Sequence, residues 1–314
     1  MRIFVAGAAG ALGNRLVPLL VSRGHDVVGT TRHAGKADGV RALGAQPAVV
    51  DALDRNQVLA AVADAKPDIV VHELTALSGP PDLRNVDRYF AATNRLRTKG
   101  LDVLLEAARA VGARRIVAQS FTGWPNARTG GAVKTEDDQL DPHPAAATRE
   151  THAAIRHVDE TMAGAHGIEG VSLRYGVFYG PGNALGKDGI MVEMIRKRRL
   201  PVVGGGTGVW SFVHIDDAAL ATALAVEGAG TPGVYNIVDD EPAPVHEWLP
   251  YLAAQVDAKP PMRLPAWLVR PLIGEPGVLA MTAIRGSSNA KARGELGWQP
   301  RYASWRDGFR EGLG

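Results

Sequence analysis

Gly7, Gly10 and Gly13 fall three residues apart in the run Phe4-Val5-Ala6-Gly7-Ala8-Ala9-Gly10-Ala11-Leu12-Gly13, between an apolar stretch and an amphipathic one. A strand that turns on glycine into a helix lets backbone approach a pyrophosphate. The helix N-terminus then presents unpaired N–H groups to the anion. Gly7, Gly10, Ala11, Leu12 and Gly13 are therefore the expected phosphate cradle of a dinucleotide; the competing reading is a tight turn with no ligand.

The second apolar run ends Thr30-Thr31-Arg32-His33, and no acid lies between Asp26 and Asp38. A carboxylate there would hold a ribose 2′-hydroxyl, whereas a guanidinium pairs with a 2′-phosphate. NADP(H) is thus expected over NAD(H), with Thr31 and Arg32 at the phosphate and His33 or Lys36 in support. Asp51, followed by Ala52, can accept from the adenine amino group, or it can cap the helix that begins near Asp54.

Hydroxyls and imidazoles supply the remaining chemistry. Ser120 and Thr122 close another apolar run, where either can hydrogen-bond a substrate carbonyl or merely satisfy backbone. His152 and Arg156 stand four apart and share a helix face. They read as a proton donor with an electrostatic partner, or as an exposed polar face. His143 and His157 have no partner at ligand spacing, so no metal site is expected.

The elements that must position these groups alternate. Strands are expected at Ile3–Val5, Asp26–Thr30, Ala48–Val50, Ile69–His72, Arg115–Ala118 and Val171–Arg174, with helices at Ala11–Ser22, Leu101–Val111 and Thr148–Met162. That order implies an α/β fold with a doubly wound parallel Rossmann sheet. Pro18 inside the first helix breaks the local rule, at a nominal cost of ~3 kcal/mol. Glycine and proline then cluster at Gly180-Pro181-Gly182 and Gly204-Gly205-Gly206. The expected division is a cofactor domain over 1–175, completed by about 211–238, and a smaller substrate-binding part over 176–210 and 239–314, made of loops and short helices.

The 314 residues suit one large domain with an appendage. A net charge of +2 argues against a nucleic-acid partner, and Lys197-Arg198-Arg199 reads as a solvated helix end or a phosphate contact. The chain has no cysteine, which excludes disulfides, thiolate zinc sites and a cysteine nucleophile. No apolar run approaches a membrane span, and the start reads as a buried strand rather than a signal peptide. A cytoplasmic location is expected.

Later segments carry a resemblance. His72-Glu73-Leu74-Thr75-Ala76, Asn94, Leu173-Arg174-Tyr175-Gly176-Val177-Phe178-Tyr179-Gly180-Pro181-Gly182, Trp210 through Asp217, Gly233 through Ile237 and Leu296-Gly297-Trp298-Gln299-Pro300 occur in order. With the glycine spacing, they resemble the extended short-chain dehydrogenase/reductase family, the NAD-dependent epimerase/dehydratase group. The resemblance implies that Leu74 and Thr75 run under the ribose and nicotinamide. It also implies that Asn94 and Gln119 line the cofactor and that Tyr175 and Phe178 meet the nicotinamide ring. His214 and Asp216 are expected to hold loops together, and a homodimer is implied.

One family feature is missing. Its Tyr-x-x-x-Lys pair should fall on the helix near Thr148–Met162, yet the chain has no Tyr between Tyr89 and Tyr175 and no Lys between Lys134 and Lys187. His152 and Arg156 keep the spacing if Glu160 takes the family's acidic position, and lose it if Asp159 does. Tyr179 or Tyr175 could stand in for the phenol; otherwise a substrate hydroxyl or water protonates the product. The substrate pocket is expected between Ser120–Trp124, Thr148–Arg156, Tyr175–Gly182 and a greasy cover over Met262–Ile284 that includes Trp267. The expected activity is an NADP(H)-dependent reductase or dehydrogenase for a small carbonyl or alcohol, an apolar or aromatic ketone being one fit. The alternatives are a sugar-nucleotide epimerase or dehydratase with retained NAD, and a non-catalytic NADP(H) sensor.

Overall fold

A strand covered on both faces must be apolar along its length, and the central strands obey this rule. The computed structural model describes residues 1–77, 79 and 81–314. The strands of the main sheet are β1 (Arg2–Ala6), β2 (Asp26–Thr31), β3 (Gln46–Val49), β4 (Ile69–His72), β5 (Arg115–Phe121), β6 (Glu169–Tyr175) and β7 (Gly233–Ile237). They run parallel in the order β7-β6-β5-β4-β1-β2-β3. This is the Rossmann arrangement. Its strand order reverses between β1 and β4, so a crevice opens beyond their carboxyl ends.

Helices cover both faces. They are α1 (Gly13–Ser22), α2 (Ala37–Ala42), α3 (Arg55–Ala65), α4 (Val86–Arg95), α5 (Leu101–Ala110), α6 (Arg149–Ala163) and, after α7 (Ile190–Arg196), which packs in the carboxyl-terminal part instead, α8 (Ile215–Val226). One core joins Leu16, Val17 and Leu20 of α1 to the small residues of α8. The opposite core joins Val58 and Val62 of α3, Leu101 and Leu104 of α5, and Val158 and Met162 of α6. α1 begins at Gly13 rather than Ala11, because Gly10–Leu12 are spent in the turn. Pro18 lies on the exposed side of α1, and the carbonyl its ring leaves unpaired belongs to the exposed Asn14.

A third core lies in the carboxyl-terminal part, where Tyr179, Phe212, Trp248, Trp305 and Phe309 pack edge to face. Its helices are α9 (Val245–Gln255), α10 (Ala266–Thr282), α11 (Ala290–Glu295) and α12 (Trp305–Glu311). α10 is longer than the short helices expected from the Pro- and Gly-rich tail. It is interrupted at Gly274, whose φ of 69° no helical residue adopts. The break divides its roles: Trp267 is 75% exposed and Leu272 72%, whereas Val278, Ala280 and Met281 are buried. Trp267 therefore points outward, and only the segment after the break can cover a cleft.

Candidate active site

The glycine turn sits at the switch point. Gly7 has φ of 104°, and a Cβ there would lie 2.6 Å from the Glu73 carbonyl. A Cβ on Gly13 would lie 2.3 Å from the Gly7 carbonyl, so this glycine lets helix and strand close on each other. Gly10 differs: its Cβ would meet only the Gly7 carbonyl at 3.1 Å and otherwise faces open space. The Thr30 hydroxyl accepts from the Gly7 N–H at 3.1 Å and ties the turn to β2. The first residue of α1 follows a cap with no side-chain hydrogen bond. A pyrophosphate would take the place of that missing cap. The residues present fit a dinucleotide.

The adenosine end is open to water. Arg32 is exposed, with Nη2 3.4 Å from His33 Nε2. Thr31 is buried, and its hydroxyl accepts from the His33 N–H at 3.3 Å. The cap of α3 is Asp54, which accepts from the Asn56 and Gln57 N–H groups; Asp51 instead accepts from the Leu53 N–H. Asp51, exposed beyond the end of β3, therefore does not cap the helix, and Ala52 beside it is half-buried.

Toward the reacting end, Gln119 Nε2 donates to the Leu74 carbonyl at 2.9 Å and fixes the segment after β4, with Thr75 exposed beside it. Asn94 Nδ2 donates to the Thr151 hydroxyl at 3.1 Å. Phe178 is half-buried with its ring 5.2 Å from that of Tyr175. Tyr175 itself is buried, its hydroxyl 3.0 Å from Glu73 Oε1 and 2.7 Å from the Thr222 hydroxyl. Thr222 in turn donates to the Ala218 carbonyl at 2.7 Å. Each hydroxyl carries one proton, so Tyr175 donates to Thr222, and the contact with Glu73 is completed by a proton on the carboxyl. Burial pushes Glu73 up to about 8, which agrees with that count. Sequence reasoning quoted Glu73 without giving it a role. The signal was an acid directly after four buried strand positions, Ile69–His72.

The catalytic candidates separate. Ser120 is buried at the end of β5, and its hydroxyl finds no partner among the described residues. Thr122 is committed elsewhere, 2.6 Å from the Ser287 hydroxyl. Tyr179 is fully buried in the third core, its ring against His214, Tyr302 and Phe309, and a Cβ on Gly308 would fall 2.0 Å from its hydroxyl. Burial raises that phenol far above its ordinary value. His214 also serves structure: its Nε2 lies 3.0 Å from the Gly312 carbonyl and its Nδ1 accepts from the Asp216 N–H.

The register of α6 decides the rest. Asp159 is buried and accepts from Ser172 at 2.6 Å and from Arg174 Nε at 2.8 Å, whereas Glu160 is exposed. Asp159 thus holds the acidic position, and His152 and Arg156 fall out of register by one. Four and eight residues before Asp159 stand Ile155 and Thr151. Thr151 donates to Asp87 at 2.7 Å. Arg156 is exposed and His152 buried, so the two do not act together. Burial holds the imidazole of His152 neutral down to about 4. Its Nδ1 has no partner among the described residues. It lines a small cleft with Trp124, Arg128, Thr148, Leu279 and Ile284.

Comparison with known proteins gives these features a setting. The model of the NAD dependent epimerase/dehydratase family matches residues 3–238. A 3-diazoavenalumate denitrifying reductase of a Streptomyces species is 43% identical over 318 residues, covering 98% of this chain and 99% of that one. A 2-alkyl-3-oxoalkanoate reductase of Stenotrophomonas maltophilia is 32% identical over 269 residues, 82% of this chain and 76% of that one. Among solved structures, Thermus thermophilus UDP-glucose 4-epimerase in complex with NAD superposes with a TM-score of 0.74 at 26% identity, covering 100% of this chain and 98% of that one. No helix among the described residues is long and apolar enough to cross a membrane. With the family model spanning the sheet and the glycine turn in place, the chain belongs to the NAD-dependent epimerase/dehydratase family and is an enzyme of the NAD(P)-dependent oxidoreductase type.

Proposed function

We propose that the protein is an NADP(H)-dependent reductase whose hydride acceptor needs no proton from the protein, a diazo-bearing carbon being the acceptor that fits best. The observation that carries this reading is the register of α6, with Thr151 and Ile155 in place of a phenol and an ammonium. A ketone reduced in such a site would leave a strongly basic alkoxide with no side chain placed to protonate it. The ring carbon of an aryl diazonium or diazoquinone makes no such demand. There the new C–H bond forms as the C–N bond breaks, and dinitrogen leaves with the bonding pair. The relative named for a denitrifying reduction of 3-diazoavenalumate supports this choice.

Bound NADPH supplies the hydride. The chain's own residues hold and orient: the turn from Gly7 to Gly13 takes the pyrophosphate, Arg32 the 2′-phosphate, and Gln119 fixes Leu74 below the reacting half. The parts over 176–210 and 239–314 bind the substrate, with Leu279 and Ile284 roofing the cleft. Incubation with NADPH and a panel of aryl diazonium and diazoquinone compounds tests the reading. Expected is NADPH-dependent loss of the diazo group with one dinitrogen released per NADPH; no consumption of any diazo compound would overturn it.

A second reading has its own support. The unpartnered Ser120 hydroxyl can polarise a carbonyl, and a relative is named as a reductase of 2-alkyl-3-oxoalkanoates. Turnover of 3-oxo acids with no turnover of diazo compounds would select it.

A further inference from the structure

Between α4 and α5 the helix widens to a π-helical segment, Leu96–Gly100. Such segments insert a residue into the helical register and often mark functional sites. Here the inserted turn brings Arg97 inside, where it is only 4% exposed. Its Nε and Nη1 have no hydrogen-bond partner among the described residues. Asp159 lies close enough to act on its charge, but both Asp159 oxygens are already bonded, to Ser172 and Arg174. A buried guanidinium with two unpaired nitrogens is costly. The face of the Phe90 ring offsets only part of that cost.

The neighbouring groups are unsatisfied in a complementary way. His72, at the end of β4, directs Nε2 to the Leu96 carbonyl at 3.0 Å, which leaves Nδ1 as an acceptor with no partner among the described residues. The charge of Arg97 reaches that ring. Asn94, one turn before Arg97, has Oδ1 in the same condition. Phe90 separates the guanidinium, 5.9 Å from its ring, from Trp124, 5.7 Å away on the cleft wall. The cluster therefore holds two unpaired donors and two unpaired acceptors. A pair of adjacent hydroxyls, each donating once and accepting once, is their complement.

A dinucleotide that places its 2′-phosphate at Arg32 beside β2 and its pyrophosphate at α1 must extend its other ribose toward β4 and β5, because ligands cross such sheets at the carboxyl ends. We propose that Arg97, with Asn94 and His72, is a positioning cluster that holds the hydroxyl pair of the nicotinamide-side ribose, with the guanidinium supplying the buried positive charge for which α6 has Ile155. This rests on the NADP(H) reading above, and the test separates the two.

The full-length protein and its Arg97→Met and Arg97→Lys variants are titrated calorimetrically with NADPH and with adenosine 2′,5′-bisphosphate, which has the 2′-phosphate but no second ribose. Melting temperatures are measured without ligand. Arg97→Met is expected to weaken NADPH binding by about tenfold or more, since two charge-assisted bonds are lost. It should leave the bisphosphate unchanged and melt no lower than the wild type, because removing an unpaired buried charge relieves strain. Arg97→Lys should recover part of the NADPH affinity. Equal losses for both ligands, unchanged NADPH binding, or a variant that melts much lower or does not fold would each overturn the proposal and make Arg97 structural. A wild type that binds NADH but not the bisphosphate would remove the NADP(H) reading instead.

Discussion

The two ends of the crevice are built on opposite principles. At the phosphate end the groups are backbone, fixed by glycine packing and by the Thr30 hydrogen bond, and among the described residues no buried polar side-chain atom there lacks a partner. At the reacting end, Ser120, His152, Asn94, His72 and Arg97 all carry buried polar atoms with no partner among the described residues. The first end is complete in its own fold and waits only for an anion. The second is left unsatisfied by folding and is completed only by what it binds. Buried polar atoms are normally paired, and unpaired ones that border the crevice are open to a ligand, whereas those of Tyr179, Trp248 and Trp305 lie inside the third core.

The contrast can be broken at its rigid end first. Gly10→Val puts a side chain where the pyrophosphate must lie, and dinucleotide binding should fall by about a hundredfold or more while the melting temperature changes little. A folded Gly10→Val protein with undiminished NADPH affinity would move the phosphate site elsewhere. Arg32→Ala should act next in size. A charge-assisted pair is worth roughly 1.5–3 kcal/mol, so the preference for NADPH over NADH should shrink by about ten- to a hundredfold. NADH bound as tightly as NADPH by the wild type would contradict the role of Arg32.

The unsatisfied end gives smaller effects. Loss of a general acid typically reduces turnover by ~10²–10⁴-fold, but an imidazole that stays neutral down to about 4 is not an acid at neutral pH. His152→Gln should therefore cost less than about tenfold in turnover with cofactor binding intact, measured in the NADPH assay. A thousandfold drop would make it the donor after all.

Glu73 gives a stability effect with a definite sign. Its folded value of about 8 lies above the unfolded value, so the native state binds the extra proton and stability falls as pH rises between the two. Glu73→Gln removes that dependence. The variant should gain on the wild type, on the order of 1–3 kcal/mol near pH 9 and much less near pH 5, in denaturant titrations at the two pH values. An advantage independent of pH would mean that Glu73 is ionised throughout.

Much of this was legible in the sequence, and the boundary has a physical cause. Six strands and the glycine turn are local signals: short buried runs, and glycines where a side chain would strike backbone, at Gly7 and Gly13, or stand in the path of the anion, at Gly10. The resemblance put Asn94 and Gln119 at the cofactor, and the position of Asp51 after a strand suggested an adenine contact or a cap; the structure gives the cap to Asp54 and ties Asn94 to Thr151 and Gln119 to Leu74. The register of α6 was not legible, because Asp159 and Glu160 are adjacent and chemically alike. Only the tertiary pairing with Arg174 and Ser172 separates them. Tyr179 read as a phenol near the cleft because sequence does not show which way a residue after a strand turns. Arg97 carried a signal that was missed, a charge on the otherwise inward face set by Phe90, Asn94 and Leu101. Its position depends on a π-helical turn that no local pattern announces.

The most direct measurement follows a label. NADPH deuterated at the transferring carbon is supplied with a diazo substrate in ordinary water, and product is examined by mass spectrometry and NMR while dinitrogen is collected. The expected result is deuterium on the carbon that carried the diazo group, with one dinitrogen per cofactor oxidised. Product carrying hydrogen from water at that carbon, or cofactor oxidised without dinitrogen, would contradict direct hydride transfer to a carbon that needs no proton donor.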